Sequence, residues 1–183
     1  MKTALLLIDL QNDYFKGGTM TLVNAEQACE NARLALDYFR KMHLPVIYIQ
    51  HVATKPDATF FLPDTAGAEI YHRVTPAGQE KVIVKHFPNS FRETELLRFL
   101  LENGITDLVI CGMMTHMCID ATTRAAKDLG FNCTLLGDAC ATKDLGISGH
   151  TVKASDVQTA FLAALNSTYS TVTTTKEFLD SCF

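Results

Sequence analysis

The chain has 183 residues, 48% of them apolar and 20% charged, which suits one globular domain over 1–183 and excludes a disordered or fibrous chain. A formal net charge of −4, with no block of lysine or arginine, argues against nucleic acid and anionic membrane as partners. No apolar run approaches the roughly 20 residues that cross a bilayer.

Ala4 to Ile8 is a short, wholly apolar run, as expected of a strand buried on both faces of a parallel sheet, and Asp9 ends it. Met1-Lys2-Thr3 has the charge of a signal peptide start, but Asp9, Gln11, Asn12 and Asp13 interrupt any hydrophobic region, so the expected location is cytoplasmic. Asn24 with Gln27 predicts a capped helix start, and Ala28, Ala32, Ala35, Phe39 and Met42 recur on one helical face. Pro45 stops that helix, and Val46 to Ile49 is a second strand. His51 to Gln79 has no period. It holds Pro56, Pro63, Gly67, Pro76 and Gly78 around Phe60, Phe61 and Leu62, and a segment this long in a compact domain is usually a functional loop.

Val82 to Val84 is a third strand, closed by Lys85. Ser90 with Glu93 predicts a capping box for a helix whose stripe is Leu96, Leu97, Leu100 and Leu101, and Asn103-Gly104 ends it. Leu108 to Cys111 is a fourth strand. A turn from Gly112 leads to a helix over Cys118 to Leu129, and Cys133 to Leu136 is a fifth strand. A loop from Gly137 to His150, a helix over Ala154 to Leu165, a last strand over Tyr169 to Val172 and a short helix over Lys176 to Leu179 complete the chain. Strands alternating with helices predict an α/β fold, a three-layer α/β/α sandwich with a Rossmann-like, mostly parallel six-stranded sheet.

In such sheets ligands bind beyond the carboxyl ends of the strands. Asp9, Lys85 and Cys118 all fall there. Cys118 is expected at a helix N-terminus, where the dipole and Lys85 would lower its pKa and make it the thiol that alkylates fastest. The carboxylate could then take and return a proton. Each residue also has a plainer reading: a buried structural cysteine, a turn-capping aspartate, a solvated lysine. His86 and His116 leave a Cys–His pair open as a second arrangement. The six cysteines, Cys29, Cys111, Cys118, Cys133, Cys140 and Cys182, form no C-x-x-C pair, so free thiols are expected. Gly17-Gly18 and Gly146-Ile147-Ser148-Gly149 match no phosphate-binding pattern.

Leu7-Ile8-Asp9-Leu10-Gln11-Asn12-Asp13-Tyr14-Phe15 resembles the opening motif of the isochorismatase-like cysteine hydrolases. Lys85 with Ser90-Phe91 and Thr94 resembles the lysine segment of that family. Val109-Ile110-Cys111-Gly112, Thr115, Cys118, Thr122-Thr123 and Ala125-Ala126 resemble its nucleophile segment, and Gly130-Phe131 and Asp138-Ala139 continue the match. The resemblance implies an Asp9–Lys85–Cys118 triad, a cis peptide between Met113 and Met114, and an oxyanion hole from the N–H groups of Met114 and Cys118. Sheet order 3-2-1-4-5-6 would put Lys85 two strand spacings, about 10 Å, from the first strand, so its side chain must lean inward.

The nicotinamidase branch of that family holds a metal through an Asp-x-His, where this chain reads Ile49-Gln50-His51. The aspartate is missing, and His51 and His72 are read as surface groups, so no metal and no cofactor is expected. The isochorismatases proper cleave a vinyl ether and need no thiol, so Cys118 favours acyl transfer. The expected function is hydrolysis of a C–N, amide-type bond of a small molecule through a Cys118 thioester. The alternatives are a vinyl ether hydrolase, or a non-catalytic protein that binds a small molecule or senses oxidants through Cys118. Phe15, Phe60, Phe61, Phe91 and His116 are the expected substrate-binding residues. The resemblance also implies a homo-oligomer, a dimer or higher.

Overall fold

The computed structural model describes residues 2–182. At its centre is β1 (Thr3–Ile8), whose apolar run is covered on both sides. Leu5 and Leu7 face one helical layer, and Ala4, Leu6 and Ile8 face the other, as the two-residue period of a strand requires. The sheet has six strands in the order β3-β2-β1-β4-β5-β8, every pair parallel. The other strands are β2 (Val46–His51), β3 (Lys81–Lys85), β4 (Asp107–Met113), β5 (Asn132–Ala141) and β8 (Thr171–Thr173).

α1 (Ala25–Lys41) and α5 (Thr175–Asp180) cover one face, with Ala28, Ala32, Ala35, Leu36 and Phe39 packed against Leu5, Leu7 and Val109. α2 (Leu96–Glu102), α3 (Asp120–Asp128) and α4 (Ala154–Thr168) cover the other, through Leu96, Leu100, Ala126 and Leu165. The expected strand order holds, with the sixth place taken by β8. A hairpin of β6 (Leu145–Ile147) and β7 (His150–Val152) occupies part of the expected Gly137–His150 loop. Among the described residues no helix is long and apolar enough to cross a membrane.

Several local expectations are corrected. Asn24 precedes α1 in the left-handed region (φ 59°) and makes no capping hydrogen bond, a conformation asparagine tolerates. Ser90 caps nothing: its hydroxyl lies 2.8 Å from the Thr122 hydroxyl, and α2 starts later, at Leu96. The helix expected from Cys118 begins as a wide π-type turn over Thr115–Ile119, and α3 proper starts at Asp120. β5 runs on to Ala141, because after a register shift its end pairs again with β4, Cys140 beside Gly112 and Ala141 beside Met113.

Candidate active site

Three strand ends meet at one point. β1 ends at Ile8, level with Ile49 on one side and Gly112 on the other. The next residue, Asp9, takes a left-handed conformation (φ 52°), and its N–H donates to the Ile49 carbonyl at 3.0 Å. β4 approaches β1 closely there: a Cβ at Gly112 (φ 129°) would overlap the Ile8 carbonyl, so only glycine fits. The Met113–Met114 peptide beyond it is cis, and the turn that follows carries Cys118.

Lys85 ends β3, with β2 between it and β1, and pairs in register with His51. Its side chain reaches across the end of β2 to place Nζ 2.8 Å from Asp9 Oδ2, with both side chains wholly buried. It also lies 3.2 Å from His51 Nδ1 and 3.1 Å from the Phe87 carbonyl. A buried ammonium stays charged only with such partners. Burial pulls the Lys85 ammonium down, but its partners, the Asp9 carboxylate foremost, hold its pKa above the ordinary lysine value.

The Cys118 sulfur lies within 4.8 Å of a carboxylate oxygen of Asp9 and of a ring nitrogen of His51. Only 5% of the residue is exposed. Burial, with the Asp9 charge added, pushes the thiol well above its ordinary pKa, and Lys85 offsets only part of this. The expected depressed pKa is therefore corrected. Cys118 sits inside a π-type turn rather than at a free helix end, in a dry site beside a carboxylate, and both favour the neutral thiol.

His51 was expected at the surface. It is half-buried against Lys85, and burial lowers its pKa to about 4, so the ring is neutral. Gln11, which sequence reasoning passed over, fixes the His51 backbone from both sides: Gln11 Nε2 donates to the His51 carbonyl at 2.8 Å, and the His51 N–H donates to Gln11 Oε1 at 2.7 Å. The expected second strand stops at Ile49, whereas β2 runs on to His51 between the strands that carry Asp9 and Lys85, so the lysine must pass it. No carboxylate joins His51 from its own strand. Gln50 turns its amide to the Ala68 carbonyl at 2.8 Å, and Ile49 is core.

The expected substrate-binding residues divide. Phe61 is buried, its ring 5.8 Å from His51 and 4.6 Å from Tyr14, and Phe60 packs on both Phe61 and Tyr14. Phe15 stacks on Tyr71 at 3.6 Å within the α1-side core. Phe91 stacks on Phe131 at 6.1 Å, next to the start of β5, which turns it from the carboxyl ends of the strands. His116, half-buried in the Cys118 turn, places Nδ1 2.6 Å from the Thr142 hydroxyl. His86 is exposed, with Nδ1 2.8 Å from the Val52 carbonyl, and so makes no pair with Cys118. All six cysteines are free thiols.

The isochorismatase domain model matches residues 3–177. The chain belongs to the isochorismatase family. An isochorismatase family protein of Bacillus subtilis, YddQ, is 51% identical over 179 residues, 98% of this chain and 99% of that one. A crystal structure from Oleispira antarctica, assigned to the isochorismatase hydrolases, is 47% identical with a TM-score of 0.93, covering 98% of this chain and 96% of that one. Streptothricin hydrolase of Streptomyces noursei is 33% identical over 142 residues, 78% of this chain and 50% of that protein. The fold here is thus that of the isochorismatase-family hydrolases.

Proposed function

We propose that this chain is a cysteine hydrolase that cleaves the C–N bond of a small amide-type substrate through a thioester on Cys118. The observation that carries the reading is the convergence of Asp9, Lys85 and Cys118 from three strand ends into one buried centre. Cys118 Sγ attacks the substrate carbonyl as its proton passes to Asp9. The oxygen takes the negative charge and is held by the N–H groups of Met114 and Cys118, the kind of donor pair worth about 10²–10³ in rate. The C–N bond breaks as Asp9 protonates the leaving nitrogen. Water, deprotonated by Asp9, then cleaves the thioester and restores the thiol. Lys85 keeps Asp9 in place and balances the charge that moves between Asp9 and sulfur.

Streptothricin hydrolase, among the relatives, supports hydrolysis rather than binding alone. A panel of small amides, ureides and hydroxamates, read by intact mass, tests the reading. The expected result is turnover with an acyl mass on Cys118, both lost in Cys118→Ala, and no need for added metal or cofactor. Turnover that survives in Cys118→Ala would sink the thioester. Binding without any adduct would leave a small-molecule-binding protein.

A further inference from the structure

Asp9, His51 and Cys118 offer an oxygen, a nitrogen and a sulfur within 4.8 Å of one another. That donor set is the one zinc-class cations take, and closing it to the edge of a zinc tetrahedron, roughly 3.5 Å, needs only small side-chain shifts. The geometry points to a site for a thiophilic divalent cation, zinc above all, that overlaps the catalytic centre and shuts it. The shut-off rests on the proposed hydrolase reading. The binding itself does not.

Three observations support it. First, the three donors already surround a cation, since Lys85 Nζ lies 2.8 Å from Asp9 Oδ2 and 3.2 Å from His51 Nδ1, with Cys118 beside it. Second, the Asp9 carboxylate is fully buried, and beside Lys85 its neighbour is the Cys118 thiol, whose proton the cation would replace, so a carboxylate lone pair is then open to a ligand. Third, His51 presents Nδ1 as an acceptor toward the same point, and Gln11 fixes its backbone. The site differs from a metal cofactor site in what it displaces. The cation takes the place of the Cys118 thiol proton, which goes to solvent, and pushes back the Lys85 ammonium, which keeps the carbonyls of Phe87 and Pro88 as partners at 3.1 and 3.4 Å. With sulfur and Asp9 both coordinated, neither nucleophile nor base remains. No electron is transferred.

Competition with Lys85 gives the test. Cobalt(II) titrated into the full chain reports a cysteine ligand through thiolate-to-cobalt charge-transfer absorption, and zinc should displace it. The band is expected in the wild-type chain, absent in Cys118→Ser and weakened in His51→Gln. In Lys85→Met it should develop at about tenfold lower cobalt, because a like charge at contact distance has been removed. No band in the wild-type chain, a band undiminished in Cys118→Ser, or no tightening in Lys85→Met would each overturn the site. If Lys85→Met fails to fold, the wild-type and Cys118→Ser spectra decide. These spectra are read without substrate. A chain that hydrolyses amides but shows no band loses this site and keeps its hydrolase reading, and a band without turnover does the reverse.

Discussion

Asp9 and Lys85 cancel in the buried centre, so a neutral Cys118 thiol leaves it uncharged, whereas a thiolate would add a buried negative charge beside a carboxylate. In the proposed reaction the sulfur therefore gives up its proton during attack and not before. Three consequences can be measured by mapped alkylation of the six cysteines. In the wild-type chain the exposed Cys182 should react first, and Cys118, 5% exposed and held as a thiol, should react slowly. Asp9→Asn leaves Lys85 facing the sulfur alone. Alkylation of Cys118 should then speed up about tenfold or more at neutral pH, by loss of a neighbouring like charge, while turnover disappears. Lys85→Met should slow the same reaction. A Cys118 that reacts more slowly in Asp9→Asn than in the wild-type chain would contradict this charge arrangement. The sequence placed all three residues at strand ends. It misjudged the thiol because burial, the larger effect, depends on residues far away in the chain.

The segment between β2 and β3 shows how an element without periodicity is held. Asp13, buried just after β1, accepts the Phe61 N–H on Oδ2 at 2.6 Å and the Thr19 N–H on Oδ1 at 3.2 Å. Phe61 sits in the left-handed region (φ 55°), costly for a bulky residue and held here by that bond and by the Tyr14 ring. Gly67 lies so close to the Asp13 carboxylate that a Cβ would overlap it. None of this is visible as a local pattern, since the anchor and the loop lie far apart in the chain. Asp13→Ala strands the buried Phe61 N–H and removes the part-buried Thr19 bond, and should cost about 1–3 kcal/mol, a drop of roughly 2–4 °C in Tm per kcal/mol for a chain of this size. Limited proteolysis should then cut first between residues 52 and 79. A variant with unchanged Tm and unchanged cleavage would show that the loop is held by its aromatic packing instead. Boundaries elsewhere were missed for a related reason: β5 continues past Gly137 only because β4 is there to pair with Cys140 and Ala141.

The order of strands and the layers of the whole molecule were legible because each central strand is an apolar run too short for a helix, separated by helices with one apolar face. His51 was not, because its meaning comes from the register that sets it beside Lys85. The same burial that shaped the site acts on other thiols across the core. Burial pushes Cys29 and Cys140 up to about 12 and Cys133 up to about 11, and raises Cys111 and Cys118 as well. In the unfolded chain these thiols ionise near their ordinary value, about 8.5. Above that pH the unfolded chain binds fewer protons than the folded one, so the free energy of unfolding falls as pH rises. Each buried thiol contributes up to about 1.4 kcal/mol of loss per pH unit until its folded value is reached. The raised Lys85 ammonium acts in the same direction, since its contribution is lost as pH climbs through its folded value. The molecule should therefore be stable at neutral pH and lose stability steeply between about pH 9 and 11. Thermal melts across that range, in the wild-type chain and in Cys29→Ala and Cys140→Ala, check this. Each substitution lowers Tm at neutral pH by removing buried contacts, yet each should flatten the alkaline slope. A Tm that stays level from pH 8 to 11, or slopes unchanged in both variants, would show that the thiols do not couple folding to protons.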